Sequence, residues 1–456
     1  MRGPGEILLV STYELGHAPH GIAVPKAFLR RAGFAPAAMD LAVESLEADR
    51  VCRARLVAIS VPMHTALRLG LAAAERIRAL NPGVVLCFHG PYALLHGPLL
   101  LRAGASAVLG GECEEELVEL ARSAEQGLDL RRFARPGAGS ASLSRLDFPV
   151  PDREGLPPPD RYARLVDSSG HERLAGYLEA SRGCLHLCRH CPLPPLYRGR
   201  FFAVPADVVL EDVRRQASAG ATHVTFGDPD FLNGPGHALR LGREIHRRFP
   251  GMTFDFTAKV EHLVRLPEAV AELASLGALF VTSAVESLSD EVLGRLAKGH
   301  TRADVFRAFE VCARAGLALR ASLLPFTPWS TLDDYLDLLD VFESQGWLAG
   351  LDPVQLTIRL LVPPGSLLCD EPSLGLEDLD EEGLTFRWSH PDPRMDGLQS
   401  RVAAAVAAGV ARGEPPSELV AKVRALALAA AGREHAHVAR PFSSARAPRL
   451  TESWFC

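Results

Sequence analysis

The sequence predicts a mixed α/β chain. A doubly wound parallel sheet spans residues 1–130, and a partial (β/α)6 barrel of the TIM type spans 173–362. A proline-rich linker, 131–172, joins them, and a mostly helical extension, 363–456, follows. Three observations carry this reading. Short apolar runs alternate with helix-periodic stretches in the first part, the pattern of parallel sheets. The composition then breaks into Pro and Gly. After the break a second strand–helix alternation begins and repeats six times.

Taken in order, Ile7-Leu8-Leu9-Val10 is the first buried strand, Leu56–Val61 a second and Val84–Phe88 a third. Between the last two, Leu69, Ala73, Ile77 and Leu80 recur at helical spacing. Ala107-Val108-Leu109 is a further strand and Glu112–Ala124 a helix. The linker contains Arg135-Pro136-Gly137-Ala138-Gly139-Ser140 and Gly155-Leu156-Pro157-Pro158-Pro159, stiff where prolines adjoin. The barrel strands are expected at 175–181, 222–227, 253–257, 279–285, 317–324 and 353–361. Thr331 with Asp334 reads as a capping box, followed by the stripe Tyr335, Leu338, Leu339 and Phe342. In the extension an acidic stretch, Glu371–Glu382, precedes two alanine-rich helices near 396–412 and 416–432.

Composition narrows the function classes. The 456 residues are 47% hydrophobic and 23% charged, with a net charge of −6, which gives no electrostatic footprint for nucleic acid. The basic run Arg243–Arg248 reads as a solvated helix face. No apolar run reaches the length of a membrane span. Nine cysteines without an export signal read as reduced thiols and a cytoplasmic location.

The chemistry concentrates in Gly183-Cys184-Leu185-His186-Leu187-Cys188-Arg189-His190-Cys191-Pro192. Cys184, Cys188 and Cys191 follow the first barrel strand, at the strand-end mouth where barrel chemistry sits. Thiolates hold iron–sulfur clusters, and three ligands leave one iron of a four-iron cluster open. A zinc loop is the competing reading and needs a fourth ligand, His186 or His190. Three free thiols form the remaining alternative. The other cysteines before the terminus, Cys52, Cys87, Cys113, Cys312 and Cys369, stand singly and suggest no second cluster.

The Cys-x3-Cys-x2-Cys loop and the alternation over 174–361 resemble the radical S-adenosylmethionine (SAM) superfamily. The resemblance implies a [4Fe-4S] cluster on Cys184, Cys188 and Cys191, with SAM chelated at the open iron and cleaved to a 5′-deoxyadenosyl radical. It implies that His190 packs near the adenine, where the family has an aromatic residue. It places Gly227 and Asp228 of Phe226-Gly227-Asp228-Pro229-Asp230-Phe231 at the SAM amino group, with a strand-end turn as the alternative. Glu286 of Ser283-Ala284-Val285-Glu286-Ser287, followed by Lys298-Gly299-His300-Thr301, falls where the family binds the SAM ribose; a helix cap is the alternative. Ser322 is a further SAM contact by position. The family implies an external reductant of the flavodoxin or ferredoxin type and a small-molecule or peptide substrate. A non-catalytic iron–sulfur protein for electron transfer or sensing would need no SAM site.

The N-terminal domain resembles the cobalamin-binding Rossmann domain that precedes many radical SAM barrels, through His89-Gly90-Pro91-Tyr92-Ala93 and Leu109-Gly110-Gly111-Glu112. No Asp-x-His-x-x-Gly occurs, so His17, His20 and His64 are the imidazoles to consider. Cobalamin, and with it methyl transfer, stays open. Cys191–Phe201 and the final Pro448–Cys456 look like a radical SAM family named for a terminal CUAEP or CCAEP motif. In that likeness Cys456 is the first of a Cys-Cys or Cys-selenocysteine pair with a catalytic role, and the next codon is expected to be UGA.

Overall fold

The computed structural model describes residues 1–433 and 447–452. Its first sheet has five parallel strands: β1 (Ile7–Ser11), β2 (Ala37–Asp40), β3 (Leu56–Ser60), β4 (Val85–His89) and β5 (Ala107–Leu109), in the order β2-β1-β3-β4-β5. Every residue of β1 and β3 is buried, as helices on both faces of a parallel sheet require. The order reverses between β1 and β3, which opens a crevice at their C-terminal ends. Strand β2 escaped the sequence reading because Ala37-Ala38-Met39-Asp40 is short and unpatterned; its pairing with β1 defines it. Helix His64–Leu80 buries Ala66, Gly70, Ala73, Ala74 and Ile77, while Leu69 and Leu80 stay about two-fifths exposed. The buried arc therefore centres on small residues rather than on those leucines. They let the helix approach β3 so closely that a Cβ at Gly70 would lie 3.1 Å from Val61.

The second sheet curls into a half barrel. Its strands in chain order are β6 (Arg164–Val166) and β7 (Glu172–Leu178), then, after a separate ribbon of β8 (Ser181–Gly183) and β9 (Phe201–Ala203), β10 (His223–Phe226), β11 (Thr253–Thr257), β12 (Ala278–Glu286) and β13 (Ala318–Leu323). Strands β7, β10, β11, β12 and β13 run parallel. A two-stranded sheet, β14 (Leu379–Asp380) and β15 (Thr385–Phe386), lies in the extension. Strand β16 (Arg449–Leu450) then pairs antiparallel with β6, which pairs antiparallel with β7.

Two sequence expectations are corrected here. The sixth parallel strand, 353–361, is not formed. Pro353 has no N–H to donate, and the Asp352 carboxylate accepts from Val354 N at 3.1 Å, so Pro353–Leu356 closes into a 3-10 turn. Only a single bridge, Phe326 to Arg359, continues the sheet there. The segment 131–172 is also more than a linker, since its last part supplies β6. Its middle straps the two sheets together: Asp152 meets Lys26 at 3.2 Å and Arg30 at 3.0 Å, while Arg153 pairs with Asp212 and donates to Tyr177 O at 2.8 Å.

The Thr331–Asp334 capping box forms and starts helix Leu332–Ser344, with Tyr335, Leu338, Leu339 and Phe342 buried. In the extension, helices Pro393–Ala411 and Pro416–Ala430 pack on each other. No helix among the described residues is long and apolar enough to cross a membrane.

Candidate active site

The cysteine loop is held between β8 and β9, whose antiparallel pairing sets Ser181 opposite Ala203 and Gly183 opposite Phe201. Gly183 has φ +73, and a Cβ there would lie 2.4 Å from Arg200 O. Only glycine lets the strand turn into the loop at that point. Cys188 is buried, and Cys184 and Cys191 are half-buried with no disulfide. Burial raises the Cys184 thiol and pushes the Cys191 thiol up to about 12. Such thiols ionise on binding a metal, so ligation expels protons. The Lys298 ammonium, itself buried, offsets negative charge at Cys188 and Cys191.

Glu286 ends β12 in the left-handed region, φ +61, at a register shift between β12 and β13. A non-glycine residue held there marks a position over-determined by its surroundings. Its Oε1 meets His190 Nε2 at 3.2 Å and Lys298 Nζ at 3.1 Å. These contacts outweigh burial and hold the carboxyl down at about 2, hence ionised. Glu286 and the cysteine loop are thus joined through His190. Lys298 was missed as a site residue because its partner lies on another element; its place in Lys298-Gly299-His300-Thr301 was the available signal.

The Gly227–Asp230 turn differs from the sequence expectation. Asp228 is 2% exposed. Its Oδ1 accepts from Ala180 N at 2.8 Å and its Oδ2 accepts from Ser181 Oγ, so both oxygens clamp the β7–β8 corner. Burial raises its carboxyl to about 7. Gly227 lacks a side chain because the Tyr177 hydroxyl lies 1.9 Å from where a Cβ would be. The close approach there is a tyrosine of the barrel. Asp230 is the carboxylate that faces the cysteine loop: its Oδ2 lies 3.8 Å from His186 Nε2. Ser322 lies on β13 beside Asp255, Thr282, Arg320 and Glu452 around a small cavity in the barrel. Cys456 lies outside the described residues.

His190 faces Glu286 and His186 faces Asp230 and Glu261. Each imidazole that could complete a zinc site with the three thiols is thus directed at carboxylates. Residues 178–340 match the Radical SAM superfamily. The half barrel carries a radical SAM domain. Relatives and solved structures extend the likeness beyond it. A tRNA-2-methylthio-N(6)-dimethylallyladenosine synthase of Geobacter sulfurreducens is 25% identical over 285 residues, 59% of this chain and 58% of that protein. The chain spans about half the length of the curated relatives it matches. Among solved structures, the cobalamin-dependent SAM radical enzyme OxsB, with aqua-cobalamin and S-adenosylmethionine bound, superposes with a TM-score of 0.69 at 15% identity over 89% of this chain and 67% of that one. The methyltransferase TsrM from Kitasatospora setae, with cobalamin and a [4Fe-4S] cluster, gives 0.61 at 19% identity, covering 74% and 72%. At 89% coverage, the superposition on OxsB extends into the N-terminal sheet.

Beyond the C-terminal end of β1, this chain's two sheets touch directly. His17, after β1, stacks on Tyr177 of β7 with ring centroids 4.6 Å apart, and its Nε2 lies 2.9 Å from the Glu452 carboxylate, which accepts. His20 lies beside Glu179 at 3.6 Å, and His64 bonds Gly383 O at 2.8 Å. The Gly110-Gly111 loop is covered by the strap: Ser142 N donates to Gly110 O and Glu112 N to Ser142 O. Tyr197 donates to Glu112 at 3.0 Å, and Arg182 pairs with Glu112, Glu114 and Glu179. His89 is buried, and burial holds its imidazole down at about 4. These contacts join the first sheet to the half barrel, and a cavity of about 410 Å³ lined by Thr12, Tyr13, Leu41 and Tyr162 lies beyond the ends of β1 and β2.

Proposed function

We propose that the chain is a radical SAM enzyme of unassigned substrate. The observation that carries this is the pairing of a three-cysteine loop at the barrel mouth with an ionised, strained Glu286 reached through His190. Cys184, Cys188 and Cys191 would hold a [4Fe-4S] cluster, and SAM would take its open iron. The bound cluster supplies the electron, delivered by a flavodoxin- or ferredoxin-type reductant, that cleaves SAM to a 5′-deoxyadenosyl radical. Glu286 can accept both hydroxyls of the ribose, because neither Lys298 nor His190 bonds its Oε2. Lys298 keeps that carboxylate charged and places a cation beside the thiolates. Asp228 positions the β7–β8 corner from which the loop departs. The finer likeness to the CUAEP/CCAEP-tail family is supported by Cys191–Phe201, of which Pro194–Tyr197 forms a short helix against the strap. We route no step through cobalamin.

The test is anaerobic, cluster-reconstituted protein given SAM and a strong reductant. 5′-Deoxyadenosine should form and vanish in Cys188→Ala. An intact cluster that neither binds SAM nor yields deoxyadenosine would reject the proposal. The same assay with added cobalamin decides methyl transfer: a cobalamin-dependent rise in S-adenosylhomocysteine assigns it, and no rise removes it.

A further inference from the structure

His186, Asp230 and His262 come from three separate elements: the cysteine loop, the turn after β10, and helix Val260–Arg265. Their donor atoms lie within 4.8 Å of one another. His262 Nδ1 approaches Asp230 Oδ2 at 2.7 Å and His186 Nε2 approaches it at 3.8 Å. All three atoms are buried and none makes a hydrogen bond. Asp230 is fully buried, so water does not solvate that oxygen. Leaving three such atoms unsatisfied is costly. A single divalent cation would satisfy them together.

We propose that these residues form a second metal site, separate from the three thiols, for a divalent transition ion of the zinc or iron(II) type. Two imidazoles and one carboxylate are the donor set such ions take. Metal–ligand distances of about 2.1 Å put tetrahedral donors about 3.4 Å apart, so the closest pair must open and the others draw in by less than about 1.5 Å. The surroundings suit this. Asp230 Oδ1 is occupied by Leu232 N at 3.0 Å, which leaves Oδ2 for the ion. His186 Nδ1 faces Glu261 Oε2 at 3.7 Å, the carboxylate that orients a ligating imidazole in many metal sites. Glu261 is itself tied to Arg265 at 2.6 Å. Three protein donors leave a coordination position for water or a substrate heteroatom. Because His186 lies between Cys184 and Cys188, the ion would also fix the cluster loop to β10 and to helix Val260–Arg265.

The experiment uses the full chain with its cluster reconstituted, incubated with Zn2+ alone and then desalted. Zinc binds N/O sites more tightly than iron(II), so it reports the site for either metal. We expect one zinc per chain, with nitrogen and oxygen scatterers at about 2.0–2.1 Å and none of sulfur at about 2.3 Å by X-ray absorption. His262→Ala and Asp230→Asn should each weaken zinc at least tenfold while iron content stays unchanged. No retained zinc, a sulfur shell, or equal zinc in folded His262→Ala would overturn the site. If zinc is absent and Asp230→Asn instead weakens SAM, Asp230 serves the SAM ammonium. Should both variants fail to fold, the wild-type scattering shell decides. Zinc content and SAM cleavage are separate readouts, so failure of one leaves the other standing.

Discussion

Replacing Lys298 by methionine isolates the electrostatics of the site. Glu286 and Lys298 form a buried pair, their side chains 9% and 3% exposed, with Oε1 and Nζ 3.1 Å apart. Burial alone would raise the Glu286 carboxyl; Lys298 first, then His190, bring it from 4.5 to about 2. That depression corresponds to roughly 3 kcal/mol, consistent with the ~3–5 kcal/mol lost when one partner of a buried pair is removed. A folded pKa below the unfolded one stabilises fully above 4.5, and the contribution disappears as pH falls toward 2. In Lys298→Met the opposition to burial is mostly gone and Glu286 is pushed up. The dependence then reverses, and the variant regains stability as pH falls and the carboxyl takes a proton. The barrel's melting transition at pH 7.5 should drop by roughly 6–20 °C, with part recovered at pH 5. The double variant Glu286→Gln/Lys298→Met should lose less than Lys298→Met alone, since no unpaired charge remains. Thermal unfolding of the cluster-free protein across pH reads all three. A Lys298→Met drop under about 2 °C that is flat with pH would refute the reasoning.

Further expectations follow from the same geometry. Glu286→Gln should weaken SAM by roughly 10–100-fold, the worth of hydrogen bonds to a charged acceptor, in equilibrium dialysis of reconstituted protein; unchanged affinity would remove Glu286 from the ribose. Asp228→Asn should cost about 1–3 kcal/mol of stability without changing SAM affinity, because both its oxygens serve Ala180 and Ser181; a selective loss of SAM binding would return it to the cofactor. Glu14, whose carboxyl burial raises to about 8, stabilises below 4.5 and loses that contribution as pH rises through 8. Glu14→Gln should therefore flatten the decline in melting temperature between pH 5 and 8, and equal slopes would disprove it.

The three cysteines proposed as cluster ligands were legible because they are local. Eight residues contain all three, and no folding step is needed to bring them together. The capping box at Thr331 and the buried strands β1, β3 and β5 were legible for the same reason, since each is set by residues a turn or a pleat apart. The placement of Glu286 came through family resemblance. The absent sixth strand was misread because Val354–Leu361 is apolar enough to be a strand, and Asp352 with Pro353 decided otherwise.

The sequence by itself determined the two-sheet α/β plan and the three-cysteine loop, because hydrophobic period and short-range spacing act within one element. Tertiary structure alone decided that Asp228 clamps a corner, that Tyr177 fills the space at Gly227 and that Lys298 and His190 converge on Glu286. It also brought His186, Asp230 and His262 together and packed the two sheets into direct contact. Those outcomes depend on which strand ends become neighbours when the sheet curls, and on burial that shifts a carboxyl up or down according to the partners it meets there.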